Sequence, residues 1–272
     1  MPVFLFASAS LNNLHIVNTI IAFVALHVFI YPASNGYNSY MDKDTDSIGG
    51  LEKPPLPTIN LFYVSLVFDV IGLVLCGFVS FGFAALIILY VLASRAYSFK
   101  GIRLKKYPII SWITVSFFQG SYLFLVLFFN LSNNLKLEQF PTVLFFVPSL
   151  LIGATYPLSQ VYQHQQDKAS GDKTLSILLG YKGTFIFSAS LFIIATILFF
   201  IQTAILTPNI LHFYWFQAFL FPVVIYFLWW AFQVFQNNKQ ANFKNTMRMN
   251  IISSLMLTSY FALEIIIKHW NK

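Results

Sequence analysis

The residues best suited to chemistry are three oxygen-bearing side chains that repeat at a helical spacing. Asn38, Asp42 and Asp46 follow one another at intervals of four residues, directly after a long apolar run. A helix that continues through them places all three on one face. Carboxylate and amide oxygens are hard ligands, which Mg²⁺ accepts while it keeps water or phosphate oxygens in the rest of its shell. The spacing favours a magnesium site, and the alternative is a solvated acidic loop that only ends the helix.

A second polar cluster follows four apolar runs further along the chain. Gln163 and Asp167 are again one helical turn apart, Gly171 is placed to end that helix, and Asp172 follows in the turn. The two clusters occupy equivalent positions in successive four-helix halves. This pattern indicates an internal repeat whose two helix ends face each other.

The elements that hold these residues are predicted to lie in a membrane. Of the 272 residues, 58% are apolar and only 9% are charged, whereas about a quarter of a soluble domain is charged. The apolar runs are continuous and about twice the ~10 residues of a barrel strand, which predicts helices. The single cysteine, Cys76, excludes a disulfide framework. We predict an all-α, multi-pass transmembrane bundle that forms one domain over residues 1–272.

Eight runs are long enough to cross the ~30 Å hydrocarbon core of a bilayer as helices. They are predicted at residues 14–36, 58–78, 81–98, 108–131, 140–158, 184–206, 212–235 and 248–268. Residues 1–11 are apolar but too few to cross at about 1.5 Å per residue. We expect them to be the end of a ninth helix that is truncated or starts late.

Basic residues are concentrated in one alternate set of the predicted loops. Twelve lie in loops 37–57, 99–107, 159–183 and 236–248, and three lie in the opposite set and the C-terminal tail. Because cytoplasmic loops carry the excess of Lys and Arg, the first set is expected to be cytoplasmic. Six of the nine acidic residues also lie in this set. The net charge of +7 is explained by this topology and by an anionic ligand, and no nucleic acid partner is expected.

On these residues the chain resembles the UbiA superfamily of intramembrane prenyltransferases. That family has nine transmembrane helices around a central cavity, with an Asn-x3-Asp-x3-Asp motif after the second helix and an Asp-x3-Asp motif after the sixth. Asn38, Asp42 and Asp46 match the first motif. Its position after the second helix fits the predicted spans if residues 1–11 belong to the first helix.

The other motifs of the family match less completely. The segment 167–174, which leads into Leu178-Leu-Gly180, is similar to the one that carries the second motif. Tyr97-Ser98 with Arg103-Leu-Lys105 resembles the loop after the fourth helix of some members. The first aspartate of the second motif aligns with Gln163, so this site has one formal charge fewer. A catalytically weak or inactive member is therefore the alternative function, followed by a small-molecule transporter.

The resemblance implies transfer of an isoprenyl group from a prenyl diphosphate to a hydrophobic or aromatic acceptor, assisted by Mg²⁺, within membrane lipid. It implies that Asn38, Asp42, Asp46 and Asp167 bind the metal, and that the three aspartates are catalytic. The residues expected to bind the diphosphate or complete the site are Asn38, Lys53, Lys100, Arg103, Lys105, Gln163, Asp172 and Lys173. Arg103 and Lys173 are the preferred cations, since topology explains most of the others.

Three further predictions concern single residues and rings. Asp69 lies inside an apolar span, where a carboxylate needs a partner, and both substrate binding and helix packing remain open. His164 is interpreted as a polar loop residue. Five tyrosines near the same helix ends are candidates to stabilise a carbocation or to anchor helices at the interface, namely Tyr37, Tyr40, Tyr97, Tyr156 and Tyr162.

Overall fold

A computed structural model describes residues 1–43, 47–132, 137–169, 171–207 and 209–270, and these residues form nine helices joined by short segments. The first helix, α1, is Pro2–Ser10. The other eight are long and apolar enough to span a membrane: α2 Ile16–Asp42, α3 Ile59–Val79, α4 Phe81–Ser98, α5 Pro108–Asn130, α6 Thr142–Lys168, α7 Leu175–Leu206, α8 Ile210–Gln236 and α9 Phe243–Lys268. The prediction of eight spans after one short helix is confirmed.

The outer surface of the bundle is apolar. Large side chains such as Phe78 and Phe81 are 71% and 88% exposed, and every spanning helix has at least one exposed large apolar side chain. Water would make so much exposed apolar area unfavourable, at about 25 cal/mol per Å². Lipid is the medium in which this surface is stable, so the chain is an integral, multi-pass membrane protein.

Three helices extend further toward the polar clusters than the apolar runs predicted. Helix α2 continues to Asp42, and α6 continues to Lys168 through one 3₁₀ turn at Val161–Gln163. Helix α7 begins at Leu175, and its chain direction changes at Gly180, whose φ of 67° favours glycine. The predicted spans are shorter than these helices because hydropathy detects only the lipid-embedded part of a helix. The backbone hydrogen bonds continue beyond it.

Three of the spanning helices contain a wider, π-helical turn. These turns are Ala25–Ile30 in α2, Phe117–Tyr122 in α5 and Ile201–Leu206 in α7. A π turn inserts one extra residue and reorients the side chains around it. The turn in α5 includes Gly120, which lies directly against the backbone of α6. A Cβ atom at Gly120 would be only 2.5 Å from the Cα atom of Ser149, so this close approach requires glycine.

The packing of the helices brings the two halves of the chain together. Helix α2 packs on α3 and α4, whereas α6 packs on α5 and α7, and α1 lies against α5 and α9. The C-terminal ends of α2 and α6 reach the same cavity. The predicted meeting of two equivalent helix ends is therefore present in the fold.

Candidate active site

A cavity of about 410 Å³ lies where the ends of α2 and α6 meet, and we call it the polar pocket. Its walls come from both halves of the chain and from the loop after α4. They are formed by Asn35, Asn38, Ser39, Asp42, Ile48, Gly49, Tyr97, Arg103, Lys105, Gln160, Gln163, Gln166, Asp167, Asp172 and Thr174. Most of the residues predicted from the sequence to do chemistry thus share one space.

Lys105 holds a central position in the polar pocket. Its Nζ atom lies 2.6 Å from Oδ1 of Asp42 and 3.5 Å from Oδ2 of Asp172. Arg103 donates from Nη2 to the same oxygen of Asp172 at 2.9 Å. Two cations from one loop therefore pair with one carboxylate from each half, in a partly buried place where such pairs are strong.

The remaining predicted cations lie elsewhere. Lys53, Lys100 and Lys173 are exposed, and none of them is among the residues that line the polar pocket. Their predicted contact with a diphosphate stays a prediction. The sequence preferred Lys173 to Lys105, whereas the structure places Lys105, and not Lys173, between the carboxylates.

The face of α2 carries two of the three residues of the first motif. Asn38 and Asp42 are one turn apart and both line the polar pocket. The Oδ1 atom of Asn38 accepts a hydrogen bond from the hydroxyl of Ser98. The helix ends at Asp42, because Lys43 adopts a left-handed conformation with a φ of 53°. Asp46 lies outside the described residues, so its predicted role is not tested.

The face of α6 is rich in amides. Gln160, Gln163 and Gln166 recur every three residues, and Asp167 completes this wall. Gln163 donates from Nε2 to the carbonyl oxygen of Ser47 at 3.2 Å, so its amide oxygen is the atom that a cation would use. Gln160 and Gln166 were not predicted as site residues, although their spacing with Gln163 is a detectable helical signal.

The prediction for His164 is wrong. This residue lies on α6 and is 5% exposed, rather than in a polar loop. Its Nε2 atom is 2.7 Å from the hydroxyl of Ser176, and its ring stacks on Tyr181 at 4.4 Å between centroids. His164 therefore fastens the end of α6 to the start of α7, on both sides of the turn that carries Asp172.

Asp69 of α3 forms an ion pair with Arg95 of α4 inside the membrane-spanning region. The guanidinium of Arg95 also lies 4.0 Å from the ring centroid of Tyr37 and donates to the carbonyl oxygen of Ala33 at 3.5 Å. The question left open for Asp69 is answered in favour of helix packing, since neither charged residue lines the polar pocket. Arg95 was not predicted as the partner of Asp69, although a basic residue within the predicted span 81–98 is a detectable signal.

Two further cavities follow the polar pocket into the bundle. A neck of about 180 Å³ shares Asn38 and Tyr97 with the polar pocket. A chamber of about 410 Å³ shares Ser34 and Gln119 with the neck, and Asn35 lines all three spaces. The chamber is mainly apolar, with walls that include Phe4, Phe6, Phe192 and Phe261.

Two tyrosine hydroxyls lie within hydrogen-bond distance of each other at the neck. The hydroxyl oxygens of Tyr97 and Tyr156 are 2.5 Å apart, and the hydroxyl of Ser111 lies 2.8 Å from that of Tyr156. Both tyrosines line the neck. Tyr97 therefore stands where a charged head in the polar pocket would join an apolar tail in the chamber.

The donor atoms around the polar pocket fit a hard cation such as Mg²⁺. Asn38, Asp42, Gln163 and Asp167 contribute amide and carboxylate oxygens, and Lys105 already holds positive charge between two carboxylates. Within the part of the chain that the structure describes, no three acidic, His or Cys side chains are close enough to form a metal cluster by themselves. A cation there would rely on amide oxygens, on water or on a bound anion for the rest of its shell.

These features define a multi-pass membrane protein whose charged polar pocket continues into an apolar chamber. The profile of the UbiA prenyltransferase family matches residues 1–253. The chain therefore belongs to the UbiA prenyltransferase family, which confirms the resemblance and identifies it as a transferase of prenyl groups.

Solved structures agree with this fold assignment. A UbiA homologue from Aeropyrum pernix K1, solved without ligand, superposes with a TM-score of 0.71 at 15% identity, over 97% of this chain and 98% of that one. A UbiA homologue from Archaeoglobus fulgidus, bound to GPP and Mg²⁺, gives 0.66 at 17% identity, over 97% and 95%. A digeranylgeranylglyceryl phosphate synthase gives 0.62 at 21% identity, over 97% and 91%. A comparison with curated protein sequences gives no match.

Proposed function

We propose that this protein transfers an isoprenyl group from a prenyl diphosphate to a small hydrophobic or aromatic acceptor. The supporting observation is the succession of polar pocket, neck and chamber, because it suits a molecule with a polyanionic head and an apolar tail. The Archaeoglobus fulgidus homologue that binds GPP and Mg²⁺ has the same fold, which agrees with this proposal.

Asn38, Asp42, Asp46 and Asp167 are the proposed ligands of Mg²⁺, with the amide oxygen of Gln163 as a weaker one. Bound Mg²⁺ would neutralise the charge that develops on the departing diphosphate. Four of these residues lie on the facing walls of the polar pocket, which allows donors from both halves of the chain to serve one anion.

Arg103 and Lys105 are the proposed diphosphate-binding cations. Each already pairs with a carboxylate at the wall of the polar pocket. Guanidinium and ammonium groups form charge-assisted hydrogen bonds with phosphate as readily as with carboxylate. When the carboxylates are engaged by metal, both cations are in position to donate to phosphate oxygens. Lys53, Lys100 and Lys173 remain candidates for weaker, long-range attraction from the loops.

The proposed transfer needs no reactant other than the prenyl diphosphate and the acceptor. The C1–O bond of the donor breaks with its electron pair on the diphosphate, and the nucleophilic atom of the acceptor bonds to C1. The diphosphate takes up the proton that the acceptor loses. The apolar chamber excludes water from the allylic cation, and the ring of Tyr97 lies at the neck, where it can stabilise positive charge.

The polar pocket is proposed to face the cytoplasm. The loops at its end of the bundle carry twelve of the basic residues. Cys76 is the single cysteine and is buried, so a variant with Lys53→Cys offers one accessible thiol. Membrane-impermeant maleimide should label it in inside-out vesicles, and labelling only in right-side-out vesicles would contradict this orientation.

The central test is an assay of the purified protein with labelled prenyl diphosphates of ten, fifteen and twenty carbons and a panel of phenol, quinol and alcohol acceptors with and without acidic groups. We expect release of diphosphate that requires Mg²⁺ and stops when a chelator removes it. Absence of metal-dependent release with every chain length would contradict the proposal and favour the catalytically silent alternative.

A substitution at Gln163 tests whether the missing carboxylate at this position weakens the binding of Mg²⁺. Gln163→Asp adds a carboxylate to the wall of the polar pocket, and metal affinity rises with the number of charged ligands. We expect the Mg²⁺ concentration for half-maximal activity to fall by about 3- to 10-fold. Gln139→Asp, on an exposed segment between α5 and α6, is the control for added charge alone. An equal shift in both variants would show that Gln163 is not part of the metal site.

A further inference from the structure

The chamber and the neck share an unusual property for the interior of an enzyme that handles anions. Within the described residues, no Asp, Glu, Lys, Arg or His lines either space, and Met1, which carries the α-amino group, lines the chamber but not the neck. All their polar side chains are neutral amides and hydroxyls. The charged side chains that line a cavity at this end of the bundle belong to the polar pocket, where they pair with one another.

The neutral groups are placed on opposite sides of the interior. Asn35 of α2 and Gln119 of α5 line both chamber and neck, whereas Asn250, Ser253 and Ser254 of α9 line the chamber. Neither Asn35 nor Gln119 has a hydrogen-bond partner among the described residues. Ser253 is 6% exposed, and its hydroxyl oxygen is buried without a partner. The hydroxyl of Ser253 is a buried polar group that costs free energy unless a ligand pairs with it. The side chains of Asn35 and Gln119 are exposed where they line these cavities, so both are accessible to a ligand.

Gln119 is held in place by the contact between α5 and α6. It lies in the π turn Phe117–Tyr122, beside Gly120 and its close approach to the α6 backbone. The hydroxyl of Ser149 fixes this turn, because it accepts from the backbone N–H of Ser121 at 2.9 Å and donates toward the carbonyl oxygen of Ser116 at 2.9 Å. Single π turns inside α-helices are frequent at functional sites.

We infer that the acceptor is an uncharged molecule whose hydroxyl or carbonyl groups bind to Asn35 and Gln119. This inference rests on the proposed prenyl transfer and names the class of its second substrate: a phenol, quinol or alcohol without a carboxylate or phosphate. A carboxylate in the neck would lose its hydration and find no cation, which is strongly unfavourable. Asn35 also lines the polar pocket, so an acceptor bound there lies next to the bond that breaks.

Matched acceptors that differ only in an acidic group test this inference. The pairs are methyl 4-hydroxybenzoate with 4-hydroxybenzoate, 1,4-dihydroxynaphthalene with 1,4-dihydroxy-2-naphthoate, and geranylgeranylglycerol with its phosphate. We expect kcat/KM to favour the uncharged member at least about tenfold in each pair that reacts. Preference for the acidic member, or no transfer to any uncharged member, overturns the inference.

A measurement on the prenyl diphosphate alone tests the proposed function independently of the inference about the acceptor. Metal-dependent binding of the prenyl diphosphate is measured without acceptor. Its absence would contradict the proposed function itself. Its presence, together with a preference for acidic acceptors, would overturn only the inference about the acceptor.

Substitutions at Gln119 give a second, independent readout. Gln119→Arg places a cation in the neck and should shift the ratio of kcat/KM values toward acidic acceptors by at least about tenfold. Gln119→Glu should shift that ratio in the opposite direction, while both variants retain donor binding. The control is Gln202→Leu, since Gln202 lies in the π turn of α7 and lines neither cavity. An unchanged ratio in Gln119→Arg and Gln119→Glu would also overturn the inference.

Discussion

Replacing Asp42 with alanine is expected to reduce metal-dependent prenyl transfer at least about 100-fold. Loss of a group that merely orients a metal ligand costs about 10- to 100-fold, so loss of a proposed ligand should cost more. The change also removes the carboxylate that lies 2.6 Å from Lys105. The measurement is the initial rate of diphosphate release as a function of Mg²⁺ concentration.

Glu138→Ala is the matched control for Asp42→Ala. Glu138 is an exposed acidic residue in the segment between α5 and α6, away from the residues that line the polar pocket. Its removal should leave both the rate and the Mg²⁺ dependence unchanged. Full activity of Asp42→Ala at every Mg²⁺ concentration would remove Asp42 from the proposed metal site.

Breaking the ion pair of Asp69 and Arg95 is expected to lower the stability of the protein. Asp69→Ala leaves a guanidinium without its partner among α2, α3 and α4, and breaking a buried pair in this way costs about 3–5 kcal/mol. We expect a matching loss in the free energy of unfolding, measured in mixed detergent micelles. Binding of Mg²⁺ should weaken less than in Asp42→Ala, because neither residue lines the polar pocket.

A double-mutant cycle separates the ion pair from general effects of substitution. Asp69→Leu combined with Arg95→Met removes both charges, and apolar replacement of a whole buried pair is often close to neutral. The double variant should therefore be more stable than either single variant. Additive losses would show that the two residues do not stabilise one another.

The ion pair also has a consequence for the site. Ser98 lies one turn beyond Arg95 on α4, and Asn38 directly follows Tyr37 and lies five residues after Ala33 on α2. The hydroxyl of Ser98 donates to Asn38, so the contacts of Arg95 hold the two helices together next to this hydrogen bond. The intramembrane charges thus act through packing, one turn away from the proposed metal ligand.

Much of the architecture could be predicted from the residues alone. Continuous apolar runs gave the eight spans, since only helices of that length satisfy their backbone groups in lipid. The four-residue spacing of Asn38 and Asp42 predicted a shared helix face. Gly171 was expected to end α6, and it adopts a φ of 75° just beyond that helix. Each of these features depends on local sequence.

Other features required the packed structure. The helix of α6 through Gln163 was predicted from the spacing of its polar residues and not from hydropathy, and neither signal revealed that α7 begins before Gly180. The solvated appearance of His164 in the sequence gave no sign of its contacts with Ser176 and Tyr181. These errors share a cause, because polar residues at the end of a membrane helix are compatible with both helix and loop until tertiary contacts decide.

The sequence by itself determined that this protein is a helical membrane protein with two acidic clusters at one end, because composition and helical period are local properties. The tertiary structure decided which side chains meet. It placed Lys105 rather than Lys173 between the carboxylates, paired Asp69 with Arg95, and exposed the unpaired amide of Gln119 to a chamber lined by neutral groups. Contacts of this kind depend on how each helix is rotated and on the neighbours against which it packs. These orientations are fixed only when segments distant in sequence bury their surfaces against one another.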